Sequence, residues 1–228
     1  MKYYSDHAAY FNDKNEEVPS VTTILKILNK PSLCKWANYL GFKRENVDKV
    51  LELSAEKGTA VHELLNSILF NTETDIRFSG DFTKEYMYSM LDNFNNWKSN
   101  HKLEPIFGER QFSCDEFGGT VDLYCKLDDK YTILDFKTSK KFYSSMFIQL
   151  SAYYYMLNLH GYEVDQVCIL LVNDKICMHK IMNVKDINEY VDTFLLLSKL
   201  FNKVYKLNEE WGDLLENKKK EKVVTKLF

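Results

Sequence analysis

The stretch from Gly118 to Lys137 constrains this chain more than any other. It reads Gly-Gly-Thr-Val-Asp-Leu-Tyr-Cys-Lys-Leu, then Asp-Asp-Lys, then Tyr-Thr-Ile-Leu-Asp-Phe-Lys. Both arms alternate and are rich in β-branched and aromatic residues, and the polar trio between them is a turn signal. The pattern predicts a β-hairpin. Side chains alternate across a strand, so Asp135 and Lys137 share one face and Phe136 takes the other. With Asp128 and Asp129 as a two-residue loop, Leu127 opposes Lys130, and counting back sets Asp122 opposite Asp135. Two carboxylates facing each other across a strand pair repel, and a divalent cation between them reverses the sign. The apolar run Tyr131 to Leu134 marks the second arm as a buried strand, where a carboxylate needs a partner. Lys137, one pleat on, adds a fixed positive charge. Cation plus ammonium is what a phosphodiester requires in mid-reaction. Taken alone, Asp-x-Lys is a short signal that a solvated hairpin face with alternating charges also produces.

At 228 residues, one domain with a single sizeable core is the simplest organisation. The net charge of −3 excludes a global basic field, so any nucleic-acid contact must come from local patches. No apolar run is as long as a membrane span, and the N-terminus, Met-Lys-Tyr-Tyr-Ser-Asp-His, has no apolar signal core. The expectation is an intracellular, cytoplasmic protein with no membrane partner. The cysteines at 34, 114, 125, 168 and 177 form no Cys-x-x-Cys pair, so reduced thiols used as small core residues are expected.

Along the chain, residues 3–18 read as a short irregular or β segment. Ser20, after Pro19, is placed to cap a helix over Val21 to Leu28, which Pro31 breaks. A second short helix opens at Ser32 and stops at Gly41. From Glu45 to Phe70, Val61, Leu64, Leu65, Ile68 and Leu69 form a helical stripe with His62 at its edge. A histidine there is more often a satisfied boundary residue than a ligand, but Gly58, one turn before it, leaves room for something to approach. After a loop over 71–81, Phe82, Tyr86, Met90, Phe94 and Trp97 mark another helix ending near Asn100. Pro105 to Cys114 reads as a strand carrying Glu109 and Arg110.

Past the hairpin, Thr138, Ser139, Lys140 and Lys141 make a basic, hydroxyl-bearing loop suited to a phosphate. Ser144 or Ser145 is placed to cap a helix from Met146 to Leu159, on which Gln149 and Tyr153 are i,i+4 neighbours. Strands follow over 164–172 and 176–181 about an Asn173-Asp174-Lys175 turn. An amphipathic helix over 184–205 and a frayed, solvated tail containing Lys218 to Lys220 end the chain. The predicted class is mixed α/β, a small central mixed sheet flanked by helices. A helical N-terminal part spans about 19–100, a core 101–182, and a C-terminal helix and tail 183–228.

In order, Lys57-Gly-Thr-Ala-Val-His62, Gly118-Gly-Thr-Val-Asp122, Asp135-Phe136-Lys137 and Gln149-Leu-Ser-Ala-Tyr153 resemble the motifs of the PD-(D/E)xK nuclease superfamily, in particular its RecB-like exonuclease branch. The resemblance covers about 19–181. Pro19-Ser-Val-Thr-Thr-Ile-Leu narrows it toward phage-encoded exonucleases and the mitochondrial genome maintenance exonuclease group. It implies a restriction-endonuclease-like αβββαβ core, with His62, Asp122, Asp135 and the Phe136 carbonyl on a metal and Lys137 at the scissile phosphate or attacking water. Gln149 and Tyr153 would buttress the site and contact substrate. Glu109 matches an acidic position near the site in some branches. Relatives with an iron–sulfur cluster hold it on four cysteines at the domain ends. This chain lacks the C-terminal group, and no cluster is expected.

Oxygen donors suit Mg²⁺, and the single imidazole makes Mn²⁺ an equal or better occupant. The expectation is a metal-dependent DNA exonuclease of replication, recombination or repair, phage-encoded, acting on single-stranded DNA or DNA ends. A structure-selective endonuclease, or a non-catalytic DNA-binding or assembly module on the same fold, are the alternatives.

Overall fold

The computed structural model describes residues 9–28, 31–80 and 82–224, for 31–32 and 209–224 the backbone alone. A two-stranded sheet of β1 (Tyr10–Phe11) and β2 (Glu17–Val18) precedes α1 (Val21–Leu25). Ser20 caps α1 as its sequence predicts, accepting the Thr23 N–H at 3.0 Å. The helix is shorter than its apolar run, which continues only as turns through Leu28. α2 (Pro31–Phe42) begins on Pro31 and passes through Gly41, which the sequence marked as a stop. Proline suits a first helical position, and a Cβ at Gly41 would meet nothing within 4 Å, so neither residue ends the helix.

α3 (Val47–Phe70) is capped by Asn46 and closed by Asn71 in the left-handed conformation. α4 (Lys84–Ser99) is capped by Thr83, and its buried Met87, Met90, Phe94 and Trp97 follow the expected face. β3 (Leu103–Ser113), β4 (Gly118–Leu127) and β5 (Lys130–Lys137) form an antiparallel meander. α5 (Ser144–Leu159) crosses to β6 (Gln166–Val172), parallel to β5, and β7 (Cys177–Asn183) closes the order β3-β4-β5-β6-β7.

Neither Ser144 nor Ser145 caps α5; both lie inside the helix, and Tyr143 at the cap position makes no side-chain bond. After a 3₁₀ turn at Val184–Asp186, α6 (Asn188–Val224) runs far past the expected end, into the tail that read as frayed. That segment holds strong helix formers and no proline. The side chains of Lys218 to Lys220 lie outside the described residues. Among the described residues no helix is long and apolar enough to cross a membrane. The five cysteines are free, with Cys125 and Cys168 buried.

The sheet has a core on each face. Under α3 and α4 lie Leu123, Cys125, Leu134, Phe136 and Leu170; under α1, α5 and α6 lie Val121, Tyr124, Ile133, Val167 and Ile169. One close approach brings α3 onto the edge strand. A Cβ on Gly108 would lie 2.1 Å from Asn66 Oδ1 and 2.8 Å from Phe70 Cε2, and Asn66 is one turn beyond His62. Gly108→Ala is therefore expected to push α3 off β3 and cost about 1–3 kcal/mol. The check is a lower urea midpoint at unchanged m; a wild-type midpoint would show that α3 yields freely.

Candidate metal centre

The hairpin carries the register its sequence predicts: Leu127 pairs with Lys130, and the ladder continues to Leu123–Leu134. The next position in that register sets Asp122 against Asp135. On the other side of β4, Gly108 pairs with Leu123 and Arg110 with Val121, so Glu109 falls opposite Asp122. Glu109, Asp122 and Asp135 thus occupy one row across three adjacent strands.

The ladder is interrupted along that row. Glu109 has φ 47°, the left-handed region, which a non-glycine residue enters at a cost on the order of 1 kcal/mol or more. Phe107 and Phe112, an odd number of residues apart, both pack in the α5-side core, so strand alternation is reset between them. Val121 and Leu123, two apart, pack on opposite faces, so it is reset again at Asp122. These two resets turn Glu109 and Asp122 toward a histidine on α3. One ligand atom from each of His62, Glu109 and Asp122 lies within 4.8 Å of the others.

Asp122 Oδ2 is 3.3 Å from His62 Nδ1 and accepts the Phe136 N–H at 2.9 Å, so a carboxylate bridges β4 and β5 where the ladder stops. His62 sets its ring edge against Phe136 at 5.9 Å, and a Cβ on Gly58 would meet nothing within 4 Å. Asp135 is 1% exposed and stands outside the three-residue group. Neither of its oxygens makes a hydrogen bond of normal geometry, while Lys137 Nζ lies 2.5 Å from Oδ2. A buried carboxylate with unused lone pairs and one cationic neighbour is a donor set that fits a divalent ion.

Charge crowding is visible in the acidities. Burial, and then repulsion from Asp122 against the pull of Lys137, push Asp135 up to about 6. Glu109 is exposed as a residue, yet the atoms crowding its carboxyl and the charge of Asp122 push it up to about 7. Burial opposes ionisation of Asp122, but His62, Lys137 and the Phe136 N–H together hold it low. Burial likewise opposes the charge on His62 and Lys137. Asp122 and Asp135 outweigh it, and both bases are raised, so Lys137 is an ammonium rather than a free base.

Gln149 Nε2 donates to Tyr153 Oη at 2.9 Å. Tyr153 is buried against Gly119, where a Cβ would lie 2.7 Å from its ring. Burial and the two aspartates hold its hydroxyl neutral. Thr138 and Ser139 are half-buried and Lys140 and Lys141 exposed; Ser139 Oγ donates to the Lys141 carbonyl at 3.1 Å. Glu109, the lesser candidate by sequence, joins the three-residue group, while Asp135 does not. Its left-handed backbone has no signal in the residues around it.

These shifts set a pH dependence. Glu109 and Asp135 have folded-state pKa values above their ordinary ones, so stability they favour at low pH is lost as pH rises through about 6–7. His62 acts in the same direction: its raised pKa stabilises below 6.5 and is lost above its folded value. Asp122, held low, titrates beneath this window. A divalent cation must displace those protons. Mn²⁺ is thus expected to raise Tm more at about pH 7.5 than at about pH 5.5, read by thermal melts with and without MnCl₂. Equal increments at both would mean that the ion binds elsewhere.

No family model and no curated protein matches the chain. Among solved structures, the crystal structure of SSO0001 is similar at 16% identity and TM-score 0.39, over 84% of this chain and 79% of that one. LHK-Exo in complex with dAMP is similar at 13% identity and TM-score 0.30, over 64% and 83%. Likenesses this loose leave the reading of the site to its own geometry.

Proposed function

We propose that this chain is a single-domain, divalent-metal-dependent deoxyribonuclease, an exonuclease that hydrolyses phosphodiester bonds in DNA during replication, recombination or repair. The observation that carries the reading is the row Glu109, Asp122 and Asp135, broken out of the ladder, with His62 on one side and the Lys137 ammonium on the other. Two adjacent buried carboxylates, Asp122 and Asp135, are costly for a sheet that only needs to fold.

In this reading His62, Asp122 and Asp135 hold Mg²⁺ or Mn²⁺ with the Phe136 carbonyl, and Glu109 closes the set from β3. Such an ion supplies Lewis acidity to the scissile phosphate and acidifies water for attack. Asp122 orients His62 and, through the Phe136 N–H, fixes where β5 begins to part from β4. Lys137 meets the charge that develops on the phosphate, as a preformed ammonium that needs no reorganisation. Tyr153, kept neutral and bonded to Gln149, is a donor for a phosphate oxygen. Thr138, Ser139, Lys140 and Lys141 extend that contact along the backbone.

The test is incubation with end-labelled linear DNA and covalently closed circles, in Mg²⁺, Mn²⁺ or EDTA. Metal-dependent loss of linear DNA alone is expected. Cutting of circles would make it an endonuclease, and no cleavage under any condition would leave a binding module.

A further inference from the structure

One face of α6 is accounted for by what it packs against. Tyr190, Val191, Phe194, Leu195, Leu197 and Phe201 join the core shared with α1 and α5. Among the residues whose side chains are described, Phe201 is the last of these, yet the helix continues to Val224. At about 1.5 Å per residue, roughly 35 Å of helix lies beyond it.

Outside that face runs a second apolar row. Leu196 is 68% exposed, Leu200 50%, Val204 40% and Leu207 49%. Helical periodicity gathers these four into one stripe, which a helix that only packs on its own domain has no use for. From Leu200 the steps alternate four and three, and the sequence carries the alternation through Trp211 to Leu214 within the helical backbone. That is the spacing with which two helices seat side chains between one another.

The charges beside the stripe select the partner. From Thr193 to Asn208 the helix has Lys199, Lys203 and Lys206 and no acid. From Glu209 to Asn217 it has Glu209, Glu210, Asp213 and Glu216 and no base. A basic block followed by an acidic block is complementary to its own reverse. Two copies laid antiparallel set each lysine block against the other's acidic block, whereas a parallel pair opposes like charges.

We propose that α6 is a homodimerisation helix. The stripe from Leu196 to Leu207 is covered by α6 of a second copy of this chain, running antiparallel and crossing close to Leu207. Such a contact is isologous and closes at two copies. It involves neither the metal centre nor nucleic acid, so it holds whether or not the chain cuts DNA.

The test is sedimentation equilibrium of the full chain in EDTA, from low to high micromolar concentration. A dimer is expected, and its dissociation constant should rise with added salt, because opposite charges attract across the contact. Leu200→Glu with Leu207→Glu should raise that constant by about 100-fold or more. Thermal melts check the fold: the wild-type Tm should rise with protein concentration, and that of the leucine variant should not. Lys199→Glu with Lys203→Glu, and separately Glu209→Lys with Glu210→Lys, should each self-associate poorly and pair with one another when mixed. Should the leucine variant fail to fold, the mixing experiment decides alone. A wild type that stays monomeric would overturn the proposal. So would a dimer that survives Leu200→Glu with Leu207→Glu, one that tightens with salt, or charge variants that do not pair on mixing.

Discussion

Asp135→Asn is expected to abolish measurable turnover and the stabilisation conferred by Mn²⁺. The substitution keeps the shape and removes a charge that is 1% exposed, with no hydrogen bond of normal geometry on either oxygen. Loss of a direct ligand should exceed the 10–100-fold cost of losing an outer partner, so single-turnover cleavage should fall on the order of 10³-fold or more. The fold should survive. The raised pKa of Asp135 means that its ionised form costs the folded chain stability at neutral pH, which a neutral amide avoids. The measurements are single-turnover cleavage and thermal melts with and without Mn²⁺. If the variant melted like wild type and Mn²⁺ still raised its Tm fully, Asp135 would not be a ligand. The ion would then sit on His62, Glu109 and Asp122 alone, the group whose donor atoms already lie close together.

Lys137→Ala separates catalysis from binding. It leaves every proposed ligand in place and removes the ammonium that meets the transition state, so cleavage should fall on the order of 10²-fold or more, as when one preorganised electrostatic donor is lost. DNA affinity measured in Ca²⁺ should weaken far less, because the exposed Lys140 and Lys141 offer further charge to the phosphates. Metal affinity should hold or rise, because Nζ lies 2.5 Å from the carboxylate oxygen that the ion would use. Arginine at this position restores charge without the compact point geometry and should rescue little. A Lys137→Ala variant that cut at nearly the wild-type rate would reduce the lysine to a partner that keeps Asp135 folded.

The pairing of Lys137 with Asp135 also bears on the role of the lysine. A lysine acting as base needs a depressed pKa, and burial alone would depress it. Asp135 and Asp122 reverse that effect. Charge stabilisation is accordingly the role this geometry favours, and water activation is left to the ion.

How much could be read before any coordinates depended on whether the deciding interaction was local. The hairpin register was legible because a two-residue loop of Asp128 and Asp129, both with positive φ, permits one alignment of alternating arms. The neighbourhood of Gln149 and Tyr153 followed from helical periodicity, and the cap Ser20 from a short polar side chain before an apolar run. The ends of elements were less legible. Pro31 and Gly41 read as breaks because a sequence window shows the residue and not the empty space around it.

The sequence by itself determined the order of elements, the alternation that sets Asp135 and Lys137 on one face, and the residues able to bind a cation. Only the tertiary structure decided which of them meet. The approach of His62 to Asp122 depends on α3 lying against β3 where Gly108 has no side chain. The entry of Glu109 depends on one left-handed residue that breaks strand alternation, against the preference of its own backbone. Such a conformation is stabilised by contacts from distant parts of the chain, and no residue near Glu109 encodes it.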